Sequence, residues 1–349
     1  MRGFRSKIST LVSFGAAIIV SGSSALACDL CAIYSAQNMK DSQSGSFTVG
    51  AAEQFTSFNS VRLNGDWVPN EAHQSLSSSV LQLYGRYDFT DAFGAQINLP
   101  YINRHFKRPE NGELAKGSES GIGDMSVLGL YTPVRVSDGD FFARLSVRGG
   151  LKLPTGDSGR IEEETEEGDA EAAASSPDAE EEMVSMVAHA GHDHGGSSET
   201  PSGIHGHDLA LGSGSIDYIL GTTGFIEDGR LFGVVDVQYA IRTEGDFDYR
   251  YQNDLAWSLG AGAYLLTEHE ATISLKANLS GEYKGMDIFD GNKAEDTGMN
   301  SMFLGPEIGF TVGENIFGLL AVDLPFLLDN TSFQAVPDYR LRFGVTYRF

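Results

Sequence analysis

Long apolar runs are missing beyond the N-terminal segment, where no stretch approaches the roughly 18 consecutive apolar residues of a transmembrane helix. This excludes a helical transporter but not a membrane barrel, because barrel strands alternate apolar and polar residues. Cysteine is almost absent, and Cys28 and Cys31 alone provide no disulfide framework. Basic residues are also scarce: 24 Lys and Arg stand against 48 Asp and Glu. The net charge of −24 argues against a nucleic-acid partner.

Residues 1–27 are typical of a cleaved signal peptide. A basic start is followed by the apolar core Leu11–Val20 and by Ala25-Leu26-Ala27, a small-x-small cleavage site. We therefore predict export, with residues 28–45 as a periplasmic N-terminal segment. Cleavage after Ala27 would expose Cys28, so lipidation is an alternative, although Ala25 stands where lipidation signals usually carry Leu.

Cys28 and Cys31 form a C-x-x-C motif in this exported segment. The pair predicts a local disulfide, with a redox pair or half of a metal site as the alternatives. Ala32 follows the motif where a haem attachment site would need His, so c-type haem is excluded.

From Ser46 onward the chain divides into twelve segments of about ten residues with alternating apolar and polar side chains, the pattern of tilted transmembrane strands. The segments lie near residues 47–56, 80–89, 93–101, 122–133, 143–153, 214–226, 231–242, 252–266, 272–283, 300–312, 315–326 and 338–349. The connections between them alternate long and short, which is typical of bacterial barrels, and the first two long ones are predicted loops over residues 57–75 and 103–120. We predict an all-β fold, a transmembrane antiparallel up-and-down β-barrel of about twelve strands over residues 46–349.

The final segment, Tyr339–Phe349, places apolar and aromatic side chains on one parity and three arginines on the other. It resembles the closing strand of bacterial outer-membrane barrels, which typically ends in Phe, as here at Phe349. The resemblance implies a place in the outer membrane of a Gram-negative bacterium, contact with outer-membrane lipids, and recognition of this strand by the barrel-assembly machinery.

Three motifs carry a narrower resemblance. They are Leu99-Pro-Tyr-Ile-Asn-Arg104, Ser120-Gly-Ile-Gly-Asp-Met-Ser126 and Gly150-Leu-Lys-Leu-Pro-Thr-Gly-Asp157. The series resembles the outer-membrane transporter family named for the MetA pathway of phenol degradation. The resemblance implies a barrel that moves small, often hydrophobic molecules. The motif residues also suit turns and strand edges, so their role can be structural.

If the apolar parity faces lipid, the opposite parity lines the interior. Charges on the lipid face would cost about 2–4 kcal/mol each near the midplane. The predicted lumen-lining residues are Arg86, Arg144, Arg148, Lys152, Asp236, Lys276, Glu282, Arg340 and Arg342. Barrels of about eight strands are filled by side chains, and those of about sixteen conduct. Twelve strands lie between these sizes, so the interior can be a charged, water-filled pore or can be filled by paired charges.

Residues 155–211 form a connection far longer than an ordinary loop. It contains fifteen acidic residues and one basic residue, which supply −14 of the net −24, and we predict a disordered extracellular loop. Five of the eight histidines lie within nineteen residues of it: His189, His192, His194, His205 and His207. Imidazoles at this density can bind Cu²⁺, Zn²⁺ or Ni²⁺, so these ions are the candidate cofactors.

The sequence thus predicts a channel or passive transporter for small molecules. The main alternative is an outer-membrane protein that uses the His-rich loop for metal capture or efflux; a structural or adhesive barrel with a closed lumen is a third. An enzyme is not predicted, because His73, His105 and His269 are isolated and no Ser/His/acid set can be ordered.

Overall fold

The computed structural model describes residues 44–110, 112–164, 201–268 and 270–349, which form a closed antiparallel β-barrel of twelve strands. The strands are Phe47–Phe58 (β1), Ser75–Asp88 (β2), Phe93–Glu110 (β3), Glu113–Ile122 continued by Met125–Asp138 (β4), Phe141–Leu153 (β5), Asp217–Asp228 (β6), Leu231–Ile241 (β7), Asp254–Thr267 (β8), Ala271–Lys284 (β9), Met299–Val312 (β10), Ile316–Asn330 (β11) and Tyr339–Arg348 (β12). The predicted fold class and strand number are confirmed. No helix in the described part of the chain is long and apolar enough to cross a membrane.

The barrel closes between its first and last strands. β1 pairs with β12 from Thr48↔Arg348 to Ser57↔Tyr339, and with β2 on its other side. β3 pairs with both segments of β4, so residues 123–124 interrupt one strand rather than separating two. Closure leaves no unpaired sheet edge in the wall.

The two faces of the wall differ as the alternation predicts. On β12, Leu341 and Phe343 are 42% and 50% exposed on the outside, whereas Arg340 and Arg342 are only 2% and 7% exposed. One end of the barrel carries short connections, at residues 89–92, 139–140, 229–230, 268–270 and 313–315; we call it the short-turn end, and the opposite one the long-loop end. Aromatic pairs gather at the short-turn end, including the stacked rings of Phe93 and Tyr131.

Two predicted connections at the long-loop end contain strands. The expected loop over residues 103–120 is wrong, because β3 continues to Glu110 and β4 begins at Glu113. The apolar alternation stops there, since both faces of this hairpin carry polar side chains, but backbone pairing continues. The expected loop over residues 57–75 contains the hairpin Ser60–Leu63 with Asp66–Val68, which pairs with Phe333–Val336.

The ends of the long acidic connection are folded. Residues Gly159–Glu162 form a 3₁₀ turn, and Gly206–Leu209 form a short helix, α1. Ile161, Ile204 and Leu209 are at most 1% exposed. The acidic composition that suggests disorder belongs mainly to the middle of the loop, whereas these buried apolar side chains lie at its ends. Residues 165–200 lie outside the described part of the chain.

Candidate functional site

One side of the barrel interior is crossed by ion pairs. Arg340 on β12 donates from both Nη groups to the Glu282 carboxylate on β9, over 2.6 and 2.7 Å. Because two strands separate β12 from β9, this contact spans a chord of the interior rather than a single strand pair. The Arg340 guanidinium also lies 3.9 Å from the ring centre of Phe303 on β10. Such a bidentate, buried pair fixes the separation of the strands that carry it.

Further pairs continue around the same side. Arg342 donates to Asp323 over 2.6 Å, and Lys276 lies 2.8 Å from Glu307. This group contains as many cations as anions once Arg340 and Glu282 are included, so it contributes no net charge. The side chains hold one another in place along β9 to β12.

A second group lies on β5 to β7. The two Nη groups of Arg148 donate to the two carboxylate oxygens of Asp236 over 2.8 and 2.7 Å. Thr223 and Gln238 complete the contacts of this arginine. Arg148 lies on β5 and Asp236 on β7, so the pair bridges over β6.

All nine predicted lumen-lining residues lie on the inward parity of their strands. Seven of them form ion pairs along the strands β5 to β12, and Arg144 is buried on the same face. The ninth, Arg86, lies at the short-turn end, 2.7 Å from Asp88. Arg144 is 8% exposed. These charges therefore share the inward face of the wall, while their role as the lining of a conducting lumen stays a prediction.

Apart from the Arg86–Asp88 pair at the short-turn end, the opposite side of the interior is uncharged. The inward side chains of β1 and β2 include Thr48, Gln54 and Thr56 on β1, with Ser78 and Gln82 on β2, all at most 3% exposed. Each carries at least one buried polar atom that meets no hydrogen-bond partner among the described residues; for Gln54 both amide atoms are without one. The interior thus has a charged, cross-linked side and a neutral polar side, which we call the neutral wall.

The sequence motifs at residues 120–126 and 150–157 meet at the long-loop end. Asp124 accepts hydrogen bonds from Lys152 Nζ over 2.6 Å, from the Gly156 amide over 3.0 Å and from the Ser213 amide over 3.0 Å. Thr155 Oγ1 donates to the Gly123 carbonyl and accepts a hydrogen bond from the Met125 amide, at the start of the second segment of β4. The motifs therefore tie the interruption of β4 to both ends of the long connection. We call this contact the motif junction.

Lys152 extends the motif junction toward the next strands. It lies 2.8 Å from Asp217, which also accepts from Arg242; Arg242 in turn contacts Asp254. This chain of alternating charges runs from β5 through β6 to β8. It buries each cation between two carboxylates, which is the arrangement that makes a buried charge tolerable.

The folded ends of the long connection enter the barrel. Leu211 packs against Ala52, Val80 and Ile102, which are inward residues of β1, β2 and β3. Ile204 and Leu209 pack with Phe58, Leu76 and Phe106 nearer the mouth. These contacts cover the long-loop end of the neutral wall. The segment from 201 to 213 therefore lies inside the long-loop end of the barrel, and we call it the inserted segment.

Helix α1 of the inserted segment is held by buried charges. His207 Nδ1 lies 2.9 Å from Glu164 Oε1, and the His207 amide donates to the same oxygen over 2.8 Å. Burial alone lowers the pKa of His207, but the charges of Asp208 and Glu164 outweigh it and raise that pKa to about 10. Burial likewise raises the pKa of Glu164, but the charges of His207 and His205 outweigh it and lower that pKa to about 2.

The predicted metal ligands are only partly described. His189, His192 and His194, like Cys28 and Cys31, lie outside the described residues. The rings of His205 and His207 stack with centres 5.7 Å apart and face carboxylates: Asp296 lies 3.3 Å from His205 Nε2. No group of three or more His, Cys, Asp or Glu side chains in the described part of the chain is placed to hold a metal ion. Metal binding stays a prediction.

A cavity of about 120 Å³ lies beneath the inserted segment. Its apolar side is formed by Phe58, Leu76, Ile102, Leu211 and Met299, and its polar side includes Arg104 and Tyr251. Sequence reasoning missed Arg104 as a site residue because it falls in the predicted loop over 103–120. In the structure Ile102, Arg104, Phe106 and Arg108 continue the inward parity of β3, but their mixture of arginine and apolar side chains gives no hydrophobic contrast in the sequence.

A solved structure shares this fold. An outer-membrane channel from Pseudomonas putida F1 aligns with a TM-score of 0.55 at 14% sequence identity, covering 90% of this chain and 98% of that chain. The translocator domain of the autotransporter NalP from Neisseria meningitidis aligns with a TM-score of 0.40 at 12% identity, covering 99% and 98%. No protein-family model and no curated protein sequence matches the chain. The first likeness shows a common barrel fold.

Proposed function

We propose that the protein is an outer-membrane channel through which small molecules diffuse passively. The barrel fold that it shares with a solved outer-membrane channel supports the proposal, as do its apolar outer face and its polar interior. The observation that carries it is the neutral wall on β1 and β2.

The neutral wall is costly in a sealed interior. A buried donor or acceptor without a partner costs about 1–3 kcal/mol, and five neighbouring residues of this wall carry such atoms. Apolar side chains of the same shape would avoid that cost in a permanently closed core. We infer that water and solute are the partners of these groups when the inserted segment moves away from the wall.

The charged side complements the neutral wall. Its ion pairs cross-link β5 to β12, so these strands keep their spacing while solute passes along β1 and β2. We propose that the cross-linked side serves as a rigid frame and the neutral wall as the diffusion path.

The narrower assignments are also proposals. The three motifs support membership of the family named for the MetA pathway of phenol degradation, and the motif junction gives them a common structural task. The β12 strand ending in Phe349 supports recognition by the barrel-assembly machinery; the Phe349 amide donates to the Phe47 carbonyl over 2.8 Å, next to the β1–β12 closure. The N-terminal signal supports export to a Gram-negative outer membrane.

Single-channel conductance of the refolded protein in a planar bilayer tests the channel. We expect the wild type to conduct, and Thr56→Val and Gln54→Leu to lower conductance because they remove polar groups from the path. Thr222→Val, on the outward face of β6 opposite the exposed Val147, is the matched control and should leave conductance unchanged.

A sealed core gives the opposite pattern. In that case the wild type does not conduct, and Thr56→Val stabilises the barrel by about 1–3 kcal/mol because it removes an unpartnered hydroxyl. Urea unfolding of the same variants measures this effect. Stabilisation without any conductance would rule out the channel.

A further inference from the structure

The cavity beneath the inserted segment has the size of a small organic molecule. Its volume of about 120 Å³ is close to that of an engineered cavity of about 150 Å³ that binds benzene. One side is apolar, because Phe58 and Leu76 form a buried cluster with the inserted segment and Ile102 packs on Leu211. An apolar body of about that size fits against this side.

Arg104 is the polar group that this cavity leaves incompletely satisfied. It is only 9% exposed; Nη1 donates to the Ala210 carbonyl over 2.6 Å, and Nε has no hydrogen-bond partner. Glu119 stands opposite Arg104 in the β3–β4 register, but its carboxylate accepts from Arg160 Nε over 2.8 Å. Among the described residues, no carboxylate lies within ion-pair distance of Arg104.

The other cations around the cavity are neutralised. Lys152 lies between Asp124 and Asp217, Lys284 is 2.5 Å from Asp287, and Arg242 contacts Asp217 and Asp254. Arg104 therefore differs from the remaining lining cations, and a buried guanidinium of this kind is stabilised by an anion. Its planar donors match a carboxylate.

We propose that the cavity binds a small monocarboxylate with an apolar body, the carboxylate at Arg104 and the body against Ile102, Leu211 and Met299. The inference rests on the proposed channel function, since it assigns a solute class to a site inside the barrel. The motif junction holds the roof of the cavity, because Leu211 and Gly212 donate their amides to the Asp157 carbonyl over 2.9 and 2.8 Å.

Calorimetric titration of the full chain in detergent with benzoate tests the site. We expect benzoate to bind. Benzyl alcohol, its uncharged counterpart, should bind with an affinity lower by about tenfold or more. Arg104→Met should weaken benzoate by about tenfold or more and leave benzyl alcohol unchanged, while Arg104→Lys should retain part of the affinity. Lys107→Met removes a charge from the exposed outward face of the same strand and is the matched control.

Two further arms keep the test decisive. Ala335→Phe places a ring in the cavity and should abolish benzoate binding without touching Arg104. Acetate carries the charge without the body and should bind much more weakly than benzoate. Circular dichroism shows which variants fold. If Arg104→Met does not fold, binding of benzoate to Ala335→Phe and of benzyl alcohol to the wild type tests the proposal instead.

Three results overturn the proposal: no heat with benzoate, equal affinity in the wild type and Arg104→Met, or acetate binding as tightly as benzoate. Conductance of the same preparation separates this proposal from the channel itself. Conductance without benzoate binding rejects the site and keeps the channel, whereas benzoate binding without conductance rejects the channel and keeps the site.

Discussion

Arg340 shows how individual charges stabilise the interior. It is 2% exposed and shares two hydrogen bonds with Glu282 across the barrel. Breaking a buried pair by removing one partner typically costs about 3–5 kcal/mol, because the remaining charge stays buried. We therefore expect Arg340→Met to destabilise the barrel by about that amount.

A double-mutant cycle checks the origin of that cost. Arg340→Met with Glu282→Gln should be clearly less destabilising than the sum of the single variants, because no charge is left buried without its partner. Urea unfolding in the same lipid or detergent provides the four free energies. Additive effects would mean that the pair contributes no coupling, despite its geometry.

The alternation of side chains predicts which face a charge lies on, but not its partner. Alternation assigned Arg148, Asp236, Glu282 and Arg340 to the interior, because a charge on the lipid face is costly. It could not pair them, since Arg148 with Asp236 bridges over a strand and Arg340 with Glu282 spans two strands. Such contacts depend on barrel curvature and side-chain length, neither of which is a property of one strand.

At the scale of elements, helix α1 is held by a titratable contact. The pKa of His207 is raised from 6.5 to about 10, so its stabilisation is complete below pH 6.5 and disappears as the pH rises through about 10. The pKa of Glu164 is lowered from 4.5 to about 2, so its stabilisation is complete above pH 4.5 and disappears as the pH falls through about 2. The contact is therefore strongest between pH 4.5 and 6.5.

The imidazole resonances of His207 in an NMR titration measure this directly. We expect a midpoint near pH 10 in the wild type and a clearly lower one in Glu164→Gln, which removes the charge nearest Nδ1. Glu163→Gln is the matched control, because Glu163 contacts Arg108 and Arg160 instead. A wild-type midpoint near 6.5 would show that His207 is not held by the carboxylates.

The elements divide into those with a clear sequence signal and those without one. Strands inside the apolar band, such as β12, have one parity exposed to lipid, so their alternation is easily recognised. The hairpin of β3 and β4 rises above that band: His105 and Lys107 face outward, and Arg104 and Arg108 inward, so no hydrophobic contrast marks its strands. The inserted segment was missed because its few apolar residues, such as Ile204 and Leu209, lie next to a long acidic stretch.

Conduction through the whole barrel depends on whether the inserted segment obstructs it. Its two ends approach each other closely, since the Leu211 amide donates to the Asp157 carbonyl over 2.9 Å. Residues 158–210 can therefore be replaced by two glycines without opening the motif junction. This deletion removes the contacts of Ile204 and Leu209 with the barrel and uncovers the neutral wall.

Single-channel recordings of that deletion and of a shorter one distinguish the roles of the loop. We expect the loss of residues 158–210 to raise conductance several-fold, because side chains that fill the interior are gone while the cross-linked frame of β5 to β12 remains. Loss of 165–200 alone keeps Glu164, His207 and α1, so conductance should stay near the wild-type value. Equal conductance in all three proteins would mean that the inserted segment does not limit the path, and the diffusion route would then have to be sought elsewhere in the barrel.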